Sequence, residues 1–134
     1  MYYLDTNTCI YFMKGMYQSI LDQFKAHKPE DLKIPALVKS ELLLGVEKSD
    51  KKELNEILYK KFLEPFEIAS FDDDSAILYA KIRAALEKKG KVIGPNDLII
   101  AATVMSKNGI LVTHNTKEFK RISGLNIEDW VRGS

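Results

Sequence analysis

Three carboxylates stand where the ends of strands and helices would present them: Asp5, Glu41 and Asp97. Asp5 follows the β-prone run Tyr2-Tyr3-Leu4 and precedes Thr6-Asn7, the pattern of an acid projected beyond the carboxyl end of a strand. Glu41 lies beside Val38 and Leu42, which recur at helical spacing. An acid next to a buried stripe is costly unless it is paired or ligates a cation. Asp97 sits in Gly94-Pro95-Asn96-Asp97, ahead of the apolar Leu98-Ile99-Ile100-Ala101-Ala102 that marks a buried helix. Each has an ordinary alternative: a helix cap for Asp5, a solvated helix acid for Glu41, and first-turn dipole stabilisation for Asp97, worth about 0.3–1 kcal/mol. Taken together they form a hard-oxygen set suited to Mg²⁺ or Mn²⁺, which takes two or three carboxylates plus substrate phosphate and keeps several waters. An ion held there lowers the pKa of a bound water and neutralises charge developing on phosphorus, the chemistry of phosphodiester hydrolysis. Whether one ion or two bind is left open.

The elements that must position these acids alternate. Tyr2–Leu4 reads as a strand, followed by a short helix capped by Asn7 or Thr8 and stopped by Gly15. Ile20, Leu21 and Phe24 continue a helical period to about His27, and Lys33-Ile34-Pro35 is a second strand. A helix is expected over 37–48, and another over 51–62 with Leu54, Ile57, Leu58 and Phe62 as its apolar stripe. Residues 66–71 alternate as a third strand, and Asp72 to Asp74 open a long helix ending at Gly90. Pro95 starts a helix stopped by Asn108-Gly109, and Ile110-Leu111-Val112-Thr113 suits the middle of a parallel sheet. A helical turn near 117–121 and an edge strand at Asn126-Ile127 close the chain. This order predicts an α/β fold with a central, mainly parallel sheet flanked by helices, one domain over 1–134. Ligands of such sheets sit beyond the carboxyl ends of the strands, where Asp5-Thr6-Asn7 and Thr113-His114-Asn115 both fall.

Composition narrows the chemistry further. With 20 Lys and Arg against 19 Asp and Glu, a protein that coats nucleic acid by bulk charge is excluded. An acidic cleft within a neutral total is not, and it would leave the remaining surface net basic. Cys9 is the sole cysteine and reads as a buried apolar residue, so a reducing, cytoplasmic setting is expected. No apolar run approaches the span of a bilayer, no signal peptide is expected at the start, and Arg132-Gly133-Ser134 has the look of an appended tail. Nucleotide-binding glycine loops and a Gly-x-Ser-x-Gly elbow are absent, and His27 and His114 lack zinc-ligand spacing. Asp5-Thr6-Asn7-Thr8 is similar to the aspartyl-phosphate phosphatases, but Asn7 stands where their second Asp belongs.

At this point the chain resembles the PIN-domain ribonucleases, specifically the VapC-type toxins of toxin–antitoxin pairs. Four stretches carry the resemblance in the family's order: 3–7, 40–45, 94–102, and 111–119 with Gly124-Leu125 and Asp129-Trp130. It implies a PIN-like fold and a Mg²⁺-dependent (or Mn²⁺-dependent) endoribonuclease that hydrolyses structured RNA, above all tRNA, by metal-activated water. Asp5, Glu41 and Asp97 would be the metal ligands, with Asn115 as a fourth catalytic position. Many members have an acid where Asn115 stands; the amide still orients a water but adds no charge, and Glu118 is a candidate replacement. One well-held ion is then expected, joined by a second when RNA phosphate arrives. The His114-Asn115-Thr116 motif is similar to that of toxins cutting initiator tRNA. The resemblance also implies a cytoplasmic homodimer, an antitoxin whose tail covers the cleft, and RNA positioned by cations such as Lys14, Arg83, Lys88, Lys89, Lys91 and Arg121. The alternative is a non-catalytic PIN module that binds RNA or a protein partner.

Overall fold

In a computed structural model describing residues 1–132, β1 (Tyr2–Leu4) is the central strand of a five-stranded sheet. The strands β2 (Leu32–Pro35), β3 (Glu67–Ala69), β4 (Ile110–Val112) and β5 (Asn126–Glu128) complete it in the order β3-β2-β1-β4-β5. All four neighbouring pairs are parallel, with Tyr2 opposite Leu32, Leu4 opposite Val112 and Leu111 opposite Ile127. Leu4, Ile34, Leu111 and Val112 are fully buried, as the unbroken apolar run of β4 requires for a strand covered on both faces. Gly133 and Ser134, expected to be part of an added tail, lie outside the described residues.

Among the described residues seven α-helices accompany the sheet: α1 (Thr6–Lys14), α2 (Gln18–Ala26), α3 (Ala36–Glu47), α4 (Lys52–Leu63), α5 (Asp73–Lys88), α6 (Pro95–Ser106) and α7 (Thr116–Phe119). α6 buries Leu98, Ile100, Ala101, Ala102 and Val104, which accounts for its lack of a polar face. α5 runs antiparallel to it. Lys107 at the end of α6 donates to Asp72 at the start of α5 at 3.1 Å, and the Ser75 and Ser106 hydroxyls meet at 2.9 Å. The carboxyl end of α5 therefore lies at the same end of the molecule as Asp97. No helix of the described residues is long and apolar enough to cross a membrane.

Three expectations need correction. α1 is capped by Asp5, not by Asn7 or Thr8: the chain turns into the helix directly from β1, and the Thr8 N–H donates to Asp5 Oδ1 at 2.9 Å. β3 spans only three residues, with Phe71 left exposed beyond it. The expected stripe of α4 reaches the core only at Phe62, which meets Phe12 and Phe66, while Leu54, Ile57 and Leu58 are 52, 66 and 51% exposed. α4 packs on α3 rather than on the sheet, and only Leu63 at its end is buried.

The chain order turns at β1 and β4. From β1 the sheet grows through β2 to β3 on one side; from β4 it grows to β5 on the other. Such a reversal opens a crevice at the carboxyl ends of the two central strands, the usual ligand position in open parallel sheets.

Candidate active site

Asp5 leaves β1 at that crevice. Its N–H donates to Val112 O at 3.1 Å, which locks the exit of β1 against β4. Its carboxylate is almost fully buried, and burial pushes its pKa up; the hydroxyls of Thr113 and Thr8 and the Thr8 N–H oppose that shift, while Glu41 adds to it. Thr113, fully buried at the end of β4, also accepts from the Asn115 N–H at 3.0 Å. One buried hydroxyl thus ties the first acid to the loop carrying Asn115.

Glu41 projects from α3, half-buried, and is held by its neighbours rather than free in solvent. The Thr6 hydroxyl donates to Oε1 at 2.6 Å, a short charge-assisted bond, and the Asn96 amide makes a long contact to Oε2 at 3.5 Å. Asp97, on the first turn of α6, has its pKa pushed up to about 6, first by burial, then by the charges of Glu118 and Glu41, a hydrogen bond with Glu118, and Asp5. Burial is the largest cause, and the three carboxylates that add to it mark a site with surplus negative charge. Asn115 precedes α7, and its amide donates to Glu118 Oε2 at 3.3 Å.

Asp5, Thr6, Asn7, Glu41, Asp97, Ile100, Asn115 and Phe119 line one pocket of 190 Å³. The four residues expected at the site thus share a single cavity. Larger hollows, of 520 Å³ beside α5 and 570 Å³ beside α4, gather no such set of acids. Ile100 and Phe119 give the pocket apolar walls, which strengthens every charge interaction inside it. His114 stays outside, with Nδ1 3.0 Å from Asp129, and His27 stacks on Trp130. Among the described residues, no three His, Cys, Asp or Glu side chains stand close enough to hold one ion directly. The donor set nonetheless fits a hard divalent cation. It is all oxygen, it carries excess negative charge, and Mg²⁺ asks for only one or two carboxylates beside waters and phosphate.

Several residues of the site escape a reading based on acids alone. Thr6 and Asn96 were detectable as polar neighbours of Asp5 and Asp97, although their shared partner, Glu41, lies 35 and 55 residues away. Thr113 gave a weaker signal, a hydroxyl closing an otherwise apolar strand.

The family model for the PIN domain matches residues 2–125. The chain belongs to the PIN-domain family. Ribonuclease VapC2 of Rickettsia felis is 41% identical over 130 residues, covering 96% of this chain and 97% of that one. The tRNA(fMet)-specific endonuclease VapC of Salmonella typhimurium is 38% identical over 127 residues, covering 95 and 96%. Among solved structures, VapBC2 from Rickettsia felis bound to a DNA fragment from its promoter superposes with a TM-score of 0.90 at 40% identity, covering 96% of this chain and 98% of that one. DNA-bound VapBC from Salmonella typhimurium gives 0.90 at 37% identity, covering 96 and 97%. Within the family, the chain groups with the VapC-type ribonucleases.

Proposed function

We propose that this protein is a divalent-metal-dependent endoribonuclease toxin that cuts structured RNA, tRNA above all, with Asp5, Glu41, Asp97 and Glu118 as its acidic set and Asn115 as the residue that orients Glu118. The observation that carries the reading is the convergence of Asp5, Glu41, Asp97 and Asn115 on one cavity at the reversal point of the sheet, with Glu118 bonded to Asn115 and Asp97 beside it. The binding-only alternative leaves that convergence unexplained, because buried clustered carboxylates are costly to keep without a cation.

The chain's own contribution is positioning. Asp5 is fixed by the turn from β1 into α1, and Thr6 aims Glu41 across the pocket. Asp97 and Glu118 share a hydrogen bond that helps to raise the Asp97 pKa. When bound, Mg²⁺ or Mn²⁺ supplies water activation and neutralises the phosphate's charge. Asp5, Glu41 and Asp97 would hold it, directly or through its waters, in a pocket that has Ile100 and Phe119 among its walls.

The partner reading is that of a homodimer in the cytoplasm, held inactive by an antitoxin. The antitoxin is supported by relatives solved as VapBC complexes. A partner is also supported by the exposed Leu43, Leu44, Leu54, Ile57 and Leu58 on the α3–α4 pair, an apolar surface of the kind that protein partners cover. A basic antitoxin side chain would satisfy the same carboxylates that call for a cation. The deciding experiment is end-mapping of cellular RNA after brief expression of the chain without antitoxin. Discrete new ends that vanish in Asp97→Asn support the reading; Asp97→Asn cutting like the wild type overturns the site.

A further inference from the structure

A second feature runs along the flank of α5, from its carboxyl end back to Leu78 and Met105. A cleft of 240 Å³ opens between α5 and the turn that follows α7. Its floor is apolar, formed in part by Leu78, Ile82 and Ala85, and its rim carries Lys81, Lys89 and Arg121 with no acid among the lining residues. Among the described residues five of the 20 Lys and Arg are in ion pairs: Lys33 with Glu67, Lys52 with Glu47, Arg83 with Glu87, Lys107 with Asp72 and Arg132 with Asp129. Among the described residues, none of the three rim cations is in an ion pair. Lys89 is accounted for in part by the carboxyl end of α5, where a cation complements the helix dipole. Lys81, two turns earlier, is not.

The cleft is continuous with the candidate active site through the backbone. Arg121 follows Glu118 by three residues, and its Nη1 donates to Val92 O at 3.0 Å. That bond pins the 89–94 loop, which leads directly into Asn96 and Asp97. The electrostatics call for such a neighbour. With four of the 19 acids gathered at the pocket, 20 Lys and Arg face 15 acids over the rest of the chain. A polyanion approaching the acidic pocket is repelled unless cations beside it hold the strand.

We propose that Lys81, Lys89 and Arg121 form a subsite for the RNA backbone, binding phosphates that flank the scissile bond while the apolar floor receives sugar or base. This rests on the ribonuclease reading and adds to it where the strand runs: past the turn after α7 and along the carboxyl-terminal half of α5. Contacts of this kind position the nucleic acid and carry no sequence information. Arg83, paired with Glu87, takes no part.

The test uses the full chain with Lys81→Gln and Lys89→Gln combined, leaving Arg121 to hold its loop. Binding of unfractionated tRNA is measured by anisotropy across a salt series, beside cleavage of the same RNA. Loss of two phosphate contacts should weaken binding about tenfold, uniformly across sequences, and lower the slope of log K against log salt by about 2. A four-nucleotide RNA spanning only a mapped cut site should lose less than twofold. Unchanged tRNA affinity and salt slope overturn the subsite, as does an equal loss on both RNAs, which would signal damage to the pocket itself. Loss of binding to a polyaspartate peptide with tRNA binding unchanged would reassign the cleft to an acidic protein segment. A wild-type chain that neither binds nor cuts RNA fails the ribonuclease reading, a result distinct from failure of the subsite alone.

Discussion

Thr6 offers the sharpest test of how the pocket is built. Its hydroxyl donates to Glu41 Oε1 at 2.6 Å, and Thr6→Val removes the hydroxyl while keeping the shape of the side chain. Hydrogen bonds to charged groups contribute about 1.5–3 kcal/mol, and the short distance puts this one toward the strong end. At about 1.4 kcal/mol per factor of ten, loosening Glu41 should weaken Mg²⁺ binding roughly 10- to 100-fold, the usual range for residues that orient metal-ligating groups. Stability should change little, because Glu41 is half-buried and can take a water in place of the lost donor. The assay is tRNA cleavage across a Mg²⁺ titration, with thermal melts at the same Mg²⁺ concentrations. The midpoint should move to higher Mg²⁺, with much of the rate recovered at saturation, and Thr6→Ser should restore the wild-type midpoint. An unchanged midpoint in Thr6→Val, or a defect that Thr6→Ser does not repair, would refute the positioning role.

Asp97→Asn should abolish cleavage and raise the melting temperature. A carboxyl whose folded pKa is about 6, against 3.8 when free, stabilises the fold in its protonated form and loses that contribution as pH rises from about 4 to 6. With the group about half exposed, solvent screening reduces the benefit of neutralisation at pH 7.5 to about 1 kcal/mol, or roughly 3 °C; a lower melting temperature would contradict the crowding of acids. Mg²⁺ should raise the melting temperature of the wild type and leave that of Asp97→Asn nearly unmoved, read in the same melts. Asp72 has the opposite sign. The Ser75 N–H, Lys107 and the Ser75 hydroxyl hold its pKa down at about 2, so its contribution is present above pH 4 and is lost as pH falls from about 4 to 2. Lys107→Ala should flatten acid unfolding in that window, and an unaltered acid limb would refute the pairing. Gly109→Ala should destabilise by about 1–3 kcal/mol in urea melts, since a β-carbon there would run into the buried Tyr3 ring; an unchanged urea midpoint would show that the ring can move aside.

How far the sequence reads through to the structure depends on what each residue's neighbours in the chain reveal. The β4 run Ile110-Leu111-Val112 is apolar because both faces of its strand are covered, and that cause is local enough to read directly. The same holds for α6, whose apolar run after Asp97 announced its burial. The α4 stripe misled for the same reason in reverse. Periodicity shows that Leu54, Ile57 and Leu58 share a face, but whether anything covers that face is a tertiary fact, and here these three stay exposed while Phe62 alone of the stripe reaches the core. The site divides along the same line. Asp5 is legible because the strand it ends and the helix it caps adjoin it in the chain; its two readings, cap and site acid, were never alternatives, since the Thr8 N–H and the pocket use one carboxylate. Glu118 was legible as a candidate for the missing acid, but its contacts depend on geometry that spacing does not show. Asn115 vacates the charge expected at its position, yet one turn of α7 brings the Glu118 carboxylate within reach of both the Asn115 amide and Asp97. On the proposed reading Glu118 supplies the fourth charge that Asn115 lacks. Glu118→Gln should accordingly cost more RNA cleavage than Asn115→Ala, and should lower the pKa of Asp97 by removing a like charge. Equal activity in the two variants, or an Asp97 titration unmoved in Glu118→Gln, would return the site to three acids.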